Sequence, residues 1–197
     1  MSEPPIVLAS ASPRRKEILA GLGIDVEVRP TDADEEALDI DDDERFVEAL
    51  ARLKLRHALA APLEPRQFVM TADTIVCIGG DRLGKPANDE EAVSMLRVLQ
   101  GRDHLVRTSV ALGRAGEGEV GIRTVVTRVW FRPASDDELE RYVALGESRD
   151  KAGAYGIQGA ASGFVRRIDG SYSNVVGLPA TEVVELLVEH GALESWP

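Results

Sequence analysis

The chain has 197 residues, and its 34 acidic against 23 basic side chains give a formal net charge of −11. That length suits one larger domain or two closely packed lobes, and the acidic balance argues against a protein that mainly grips a nucleic-acid backbone. One cysteine, Cys77, excludes an internal disulfide framework, and no stretch reaches the ~20 apolar residues that would span a bilayer.

Runs with strand periodicity alternate along the chain with segments of helical periodicity, so the sequence predicts an α/β fold. In chain order, the predicted elements are a strand at 6–9, a helix that begins at 13 and is closed by Gly21 and Gly23, a strand at 26–28, a helix at 44–60, strand-like runs at 68–70 and 75–78, a helix at 89–99, strands at 105–112 and 124–131, a helix at 136–145, a strand at 164–168 and a last helix ending near 189. We predict helix N-caps at Ser12, Ser135 and Thr181.

The acidity is concentrated before the second predicted helix. Between Thr31 and Glu44 there are nine acidic residues and no basic one, which leaves a net charge of −2 for the rest of the chain. The remainder is therefore close to neutral and is compatible with a locally basic pocket. Residues 1–5 lack the basic region of a secretory signal, which predicts a cytoplasmic protein.

The segment Ser10 to Arg15 lies at a predicted strand-to-helix junction. Unpaired backbone N–H groups and the helix dipole make such a junction attractive to anions. Arg14 and Arg15 are unfavourable in a first helical turn unless an anion binds there, and arginine pairs phosphate with two parallel hydrogen bonds. The alternative is an ordinary capped helix with solvated arginines, and the segment alone does not decide between them.

Asp73 is a carboxylate in the middle of the apolar stretch 68–78. It must be paired, hydrogen-bonded or placed at a strand end that faces a ligand. The residue is therefore either a general base or metal ligand, or a turn aspartate that bonds nearby backbone.

Residues 79–85 match G-x-x-x-x-G-K, the beginning of a phosphate-binding P-loop. Pro86 follows where that motif needs a serine or threonine hydroxyl, so we reject the P-loop. The segment is better interpreted as a hairpin turn that delivers Lys85, which can still reach a phosphate.

The segment 151–160 contains three glycines and several alanines, which let a backbone approach a flat ligand closely. Gln158 within it carries both a donor and an acceptor, which suits the edge of a base. A flexible surface loop is the alternative.

Several motifs occur together in a fixed order. They are 8–15, 72–74, 84–86, 150–159, 170–172 and 175–179. With these motifs the whole chain resembles the Maf family of nucleotide pyrophosphatases, once described as septum-formation inhibitors. The resemblance implies a two-lobed, mixed-sheet α/β fold with a central cleft, similar to that of inosine triphosphate pyrophosphatases, in one domain over residues 1–197.

The resemblance also implies an activity, the hydrolysis of a nucleoside triphosphate to the monophosphate and pyrophosphate. Asp73 would be the catalytic base, and Arg14, Thr74 and Gln158 match the positions that mark the branch acting on dTTP and UTP. Polar positions of the family's cleft are matched by Ser10, Arg15, Glu35, Lys54, Lys85 and Lys151.

From these matches we expect Arg14, Arg15, Lys54 and Lys85 to bind phosphate oxygens, assisted by Ser10 and Ser12. We expect Mg²⁺ or Mn²⁺ as cofactor, held by Glu35 and Asp73. The expected partner is a nucleoside triphosphate, with no nucleic acid and no membrane, and the resemblance implies a homodimer. The alternative function is a nucleotide-binding regulator of cell division with little catalysis.

Overall fold

Six helices and seven strands form in the part of the chain that a computed structural model describes, residues 4–31 and 38–197. The strands are β1 (Ile6–Leu8), β2 (Val26–Val28), β3 (Phe68–Ile78), β4 (Asp81–Leu83), β5 (Asp103–Arg114), β6 (Gly118–Phe131) and β7 (Val165–Asp169). The helices are α1 (Pro13–Gly21), α2 (Asp43–Leu59), α3 (Asp89–Leu99), α4 (Asp136–Ala144), α5 (Tyr172–Val176) and α6 (Ala180–Glu189). The α/β class is confirmed.

The strands form one mixed sheet in the order β2-β1-β3-β5-β6-β7, and β4 pairs with β3. Strand β1 runs parallel to β2 and to β3, whereas β4 is antiparallel to β3 and β7 is antiparallel to β6. In the parallel pair of β1 and β3, Val7 lies opposite Val69 and Leu8 lies opposite Met70. This register places the residues that follow Leu8 beside those that follow Met70.

The chain divides into two compact units. The first unit comprises residues 1–73, 108–125 and 177–197. Successive side chains of a strand point to opposite faces, and two apolar clusters follow from this alternation. Leu8 and Met70 join Leu186 of α6 in one cluster, while Val7 and Val69 join Leu55 of α2 in the other.

The second unit comprises residues 74–107 and 126–176. Helices α3 and α4 contact each other in this unit and bury Leu96, Leu99 and Leu139 completely or nearly so. The rings of Phe131 and Tyr155 meet edge to face, with centroids 4.8 Å apart. An aromatic cluster therefore forms part of this core.

Of the three predicted N-caps, one is confirmed, one is confirmed in position only and one is wrong. Ser135 is confirmed, because its side chain and Glu138 form a reciprocal capping box at the beginning of α4. Ser12 occupies the N-cap position of α1, but its side chain caps nothing. Helix α6 begins after Pro179 rather than at Thr181. The backbone N–H of Ser12 donates to Ser10 Oγ, so the turn before α1 is closed by Ser10.

The predicted break within residues 71–74 is wrong, since β3 continues from Phe68 to Ile78 without interruption. The hairpin at Gly79 and Gly80 is confirmed, because β4 folds back antiparallel on β3. Glu35 lies outside the described residues. Within the described ranges, each helix is too short or too polar to cross a bilayer.

Candidate active site

The end of β1 and the beginning of α1 build one side of the site in the first unit. Ala9 N donates to Met70 O at 2.9 Å, which ties the end of β1 to β3. The chain then turns, and Ser10 Oγ accepts hydrogen bonds from Ser12 N at 3.2 Å and from Arg15 Nη1 at 3.1 Å. Ser10 is buried, so its hydroxyl is fixed within this turn.

Arg15 holds three parts of the first unit together. Its Nε donates to Gly177 O at 2.9 Å, and its Nη1 donates to Ala72 O at 2.8 Å as well as to Ser10. These bonds place the first turn of α1 beside Ala72, the residue that precedes Asp73. Arg14 is half-buried in the same turn.

Asp73 forms an ion pair with Lys54 of helix α2. Lys54 Nζ donates to Asp73 Oδ2 at 3.2 Å, and only 16% and 14% of the two side chains are exposed. Helix α2 is fixed against β3 by Thr71, whose buried hydroxyl donates to Ala51 O at 2.8 Å. Because Ala51 and Lys54 lie one turn apart, this bond sets where Lys54 meets Asp73.

In the second unit, Lys85 and the glycine-rich segment are joined through backbone. Lys85 is exposed and lies two residues after the end of β4. Gly84 O accepts a hydrogen bond from Gly153 N at 3.0 Å. Gly153 has a φ of +68°, and a Cβ there would lie 3.1 Å from the Val76 side chain, so only glycine suits this position.

Gln158 and Thr74 also belong to the second unit. Gln158 is exposed, although its neighbour Ile157 is buried. Thr74 follows Asp73 in β3 and is half-buried. Lys151 Nζ donates to Glu147 O at 2.5 Å and to Asp150 Oδ1 at 2.6 Å. The predicted residues in the two units are thus Ser10, Ser12, Arg14, Arg15, Lys54 and Asp73 in the first, and Thr74, Lys85, Lys151 and Gln158 in the second.

The donor set at Asp73 fits a weakly coordinated divalent cation. No three His, Cys, Asp or Glu side chains come together as a metal-binding group among residues 4–31 and 38–197. Mg²⁺ does not need such a group, because it is usually held by one or two carboxylates together with substrate phosphates and water. A single partly buried carboxylate such as Asp73 is consistent with that kind of site.

Two residues with a role in this geometry were missed by sequence reasoning. The periodicity predicts a break between strands at Thr71, although a buried hydroxyl in an apolar run needs a partner and so signals a specific contact. Glu147 lies three residues beyond α4 and accepts a hydrogen bond from Ala160 N at 3.0 Å. Nothing in its local sequence indicates a contact 13 residues away.

Comparisons with known proteins give consistent results over nearly the whole chain. The family described as Maf-like protein matches residues 5–190. The dTTP/UTP pyrophosphatase of Hahella chejuensis is 48% identical over 192 residues, which are 97% of this chain and 94% of that protein. The dTTP/UTP pyrophosphatase of Geobacter sulfurreducens is 50% identical over 188 residues, which are 95% and 97% of the two chains.

Among solved structures, a nucleoside-triphosphatase / dITP/XTP pyrophosphatase from Mycobacterium abscessus aligns with a TM-score of 0.39 at 14% sequence identity. The alignment covers 73% of this chain and 93% of that one.

Proposed function

The chain belongs to the Maf-like family, and from this premise we propose that it hydrolyses dTTP and UTP to the nucleoside monophosphate and pyrophosphate. Relatives of that name share about half of its residues over nearly full length. The structural observation that carries the proposal is the partly buried pair of Asp73 and Lys54, fixed beside the turn from Ser10 to Arg15.

Asp73 acts as the general base in this proposal. Its carboxylate accepts a proton from the water that attacks the α-phosphorus, and the bond from that phosphorus to the oxygen bridging to the β-phosphorus breaks. Pyrophosphate leaves with the electron pair of that bond. A carboxylate with only 14% of its side chain exposed is well suited to hold one water in a fixed direction.

The basic side chains bind the triphosphate and stabilise the charge of the leaving group. Lys54 is poised to exchange its bond with Asp73 for one with a phosphate oxygen. Arg14 and Lys85 add positive charge that attracts the phosphates. Arg15 contributes mainly by holding the turn, because its guanidinium already donates to two backbone carbonyls and a hydroxyl. Ser10 and Ser12 shape the turn, whose backbone lies at the beginning of α1.

Gln158 and Thr74 select the base. Thymine and uracil share two carbonyl oxygens on either side of an N–H group, whereas cytosine carries an amino group in place of one of those oxygens. The amide of Gln158 offers one donor group and one acceptor, which matches a carbonyl next to an N–H. Its exposure leaves the amide accessible to a ligand.

Asp73 would hold a divalent cation, Mg²⁺ or Mn²⁺, together with oxygens of the bound triphosphate. Such an ion neutralises negative charge on the phosphates. The other predicted metal ligand is Glu35, and its role remains part of this proposal.

The experiment that tests the function is a pyrophosphate-release assay with dTTP, UTP, CTP and 7-methyl-GTP. We expect release from dTTP and UTP, and loss of turnover in Asp73→Asn with triphosphate binding largely retained. An active Asp73→Asn variant would contradict the role of Asp73. Tight binding without hydrolysis by the unmodified chain would instead favour a nucleotide-binding regulator of cell division.

Two further expectations belong to this proposal. A cytoplasmic location agrees with substrates that are nucleotides of the cytoplasmic pool, and cell fractionation tests it. The homodimer implied by the family resemblance is tested by analytical ultracentrifugation.

A further inference from the structure

Gln158 is an exposed residue in a segment whose backbone is fixed on both sides. On the preceding side, Tyr155 is buried and its hydroxyl is joined to His104 Nε2 at 2.8 Å. The next residue, Gly156, donates its N–H to the hydroxyl of Tyr142 at 3.1 Å. These two contacts anchor the backbone before Gln158 to the core of the second unit.

On the following side, the backbone is held by a charged group. Ala160 N donates to Glu147 Oε2 at 3.0 Å and to Oε1 at 3.3 Å, so both carboxylate oxygens face one amide. A Cβ at Gly159 would lie 2.7 Å from Glu147 Cδ, so glycine is needed for this close approach. Glu147 therefore fixes the turn just after Gln158.

Glu147 is itself held in place by its surroundings. Helix α4 ends in a turn at Gly146, whose φ of +77° favours glycine, and Glu147 follows immediately. Lys151 Nζ donates to Glu147 O, and a Cβ at Gly156 would lie 2.6 Å from Lys151 Cε. Glu147 thus lies just after the capped helix α4, where its carbonyl oxygen accepts from Lys151 and its carboxylate accepts from the Ala160 amide that follows Gln158.

We propose that Glu147 is a positioning residue for base selection: its carboxylate holds the Ala160 amide and thereby sets the direction in which the Gln158 side chain is presented. Glu147 does not contact the substrate and acts only through the backbone. This inference rests on the proposed function, because it assumes that Gln158 meets a pyrimidine base.

The decisive variant is Glu147→Ala, compared with Glu147→Gln. The alanine variant removes both acceptors, and we expect its preference for dTTP over dCTP in kcat/KM to fall about tenfold, mostly through a higher KM for dTTP. The glutamine variant keeps one acceptor oxygen for Ala160 N, and we expect it to retain most of the preference. A ratio between two triphosphates of equal charge cancels any general effect of removing a negative charge.

Glu140→Ala is the matched control, because it also removes one negative charge, at an exposed residue of α4 whose carboxylate lies 3.7 Å from Arg97 Nη2. We expect it to leave the preference unchanged. Gly159→Ala provides a second route, since the added Cβ displaces the Glu147 carboxylate. Its effect on the preference should match that of Glu147→Ala and should not add to it in the double variant.

Equilibrium binding of dTTP and dCTP to the Asp73→Asn protein measures the same preference without turnover. If the unmodified chain hydrolyses neither nucleotide, the proposed function is refuted. If Glu147→Ala nevertheless removes the preference for binding dTTP over dCTP, this inference still holds. The inference is overturned if Glu147→Ala keeps the full preference while amide exchange at Ala160 accelerates. It is also overturned if the unmodified chain binds dTTP and dCTP equally, or if Glu140→Ala has the same effect as Glu147→Ala.

Discussion

His104 is a residue whose burial determines its chemistry. It is 1% exposed, and its ring contacts Phe131 and Tyr155 edge to face, with centroids 5.0 and 5.4 Å away. Burial lowers the pKa of His104 to about 4, and the charge of Asp103 opposes this only in part. His104 is therefore neutral in the folded protein near pH 7, and its role there is to anchor Tyr155.

This neutral state predicts a pH-dependent stability. An exposed histidine in the unfolded chain titrates near pH 6.5, so between pH 6.5 and 4 the unfolded chain binds more protons than the folded one. Stability is therefore highest above pH 6.5 and falls as the pH is lowered, and the loss due to His104 reaches about 3 kcal/mol near pH 4. Urea unfolding at pH 7 and pH 4 measures it.

The matched variant for this measurement is His104→Gln, which cannot titrate. Acidic groups contribute to the pH dependence of both proteins and cancel in the difference between them. For example, hydrogen bonds from Arg132 and Ser135 lower the pKa of Glu138 to about 2. Equal loss of stability in the two proteins between pH 7 and pH 4 would contradict the prediction.

At the scale of elements, α1 shows how a weak helix is stabilised by contacts outside itself. Leu19 is its buried residue, no side chain caps its N-terminus, and Arg14 and Arg15 lie in a first turn where the helix dipole disfavours positive charge. The hydrogen bonds of Arg15 to Gly177 O and Ala72 O supply what the helix lacks. We infer that Arg15 stabilises the folded protein as well as contributing to phosphate binding.

Arg15→Ala is therefore expected to lower the free energy of unfolding by about 2–4 kcal/mol, because hydrogen bonds from a charged donor to partly buried carbonyls are lost. Denaturant unfolding measures the change. Lys16→Ala, at an exposed position of the same helix, is the control and should change stability by less than about 0.5 kcal/mol. Equal effects of the two substitutions would show that Arg15 does not anchor α1.

Most elements could be predicted from periodicity, but several of their ends could not. The pattern around residues 71–74 mixes polar and apolar side chains, which locally favours a turn. The strand continues there because Thr71 finds a hydrogen-bond partner on α2 and Asp73 finds Lys54, both far away in sequence. Similarly, α6 begins at Ala180 after Pro179, although Thr181 is the residue type that local rules prefer at an N-cap.

At the scale of the whole molecule, the first unit is assembled from distant parts of the chain. Leu178, Val183, Leu186 and Leu187 come from the last segment and are completely buried in the cluster that contains Leu8. The cluster closes only when the last helix has joined the first strands. We therefore expect that this unit does not fold from its N-terminal residues alone.

A chain that ends at Val176 should therefore lose cooperative unfolding, because it lacks four fully buried apolar side chains, each of which contributes about 2–5 kcal/mol. Circular dichroism during thermal unfolding measures this. The control is a chain that ends at Leu193. It keeps the four buried side chains and loses the hydrogen bond from Trp196 Nε1 to Leu22 O. A cooperative transition in the chain ending at Val176 would contradict the prediction.

The charge of −11 also belongs to this scale. Nine acidic residues in the range 31–44 account for most of it, so the remaining chain carries acidic and basic groups in near balance. This distribution disfavours a long polyanion such as DNA, while it is compatible with one triphosphate bound by a few cations.

The sequence by itself determined the α/β class, the family, and the chemical types of the site residues, because periodicity and the order of motifs are properties of the amino-acid sequence alone. Only the tertiary structure decided that Lys54 pairs with Asp73, that Arg15 bonds backbone carbonyls, and that Glu147 holds the amide beyond Gln158. Each of these contacts joins residues from separate turns or elements. Their geometry depends on how the elements pack, which a local sequence pattern does not encode.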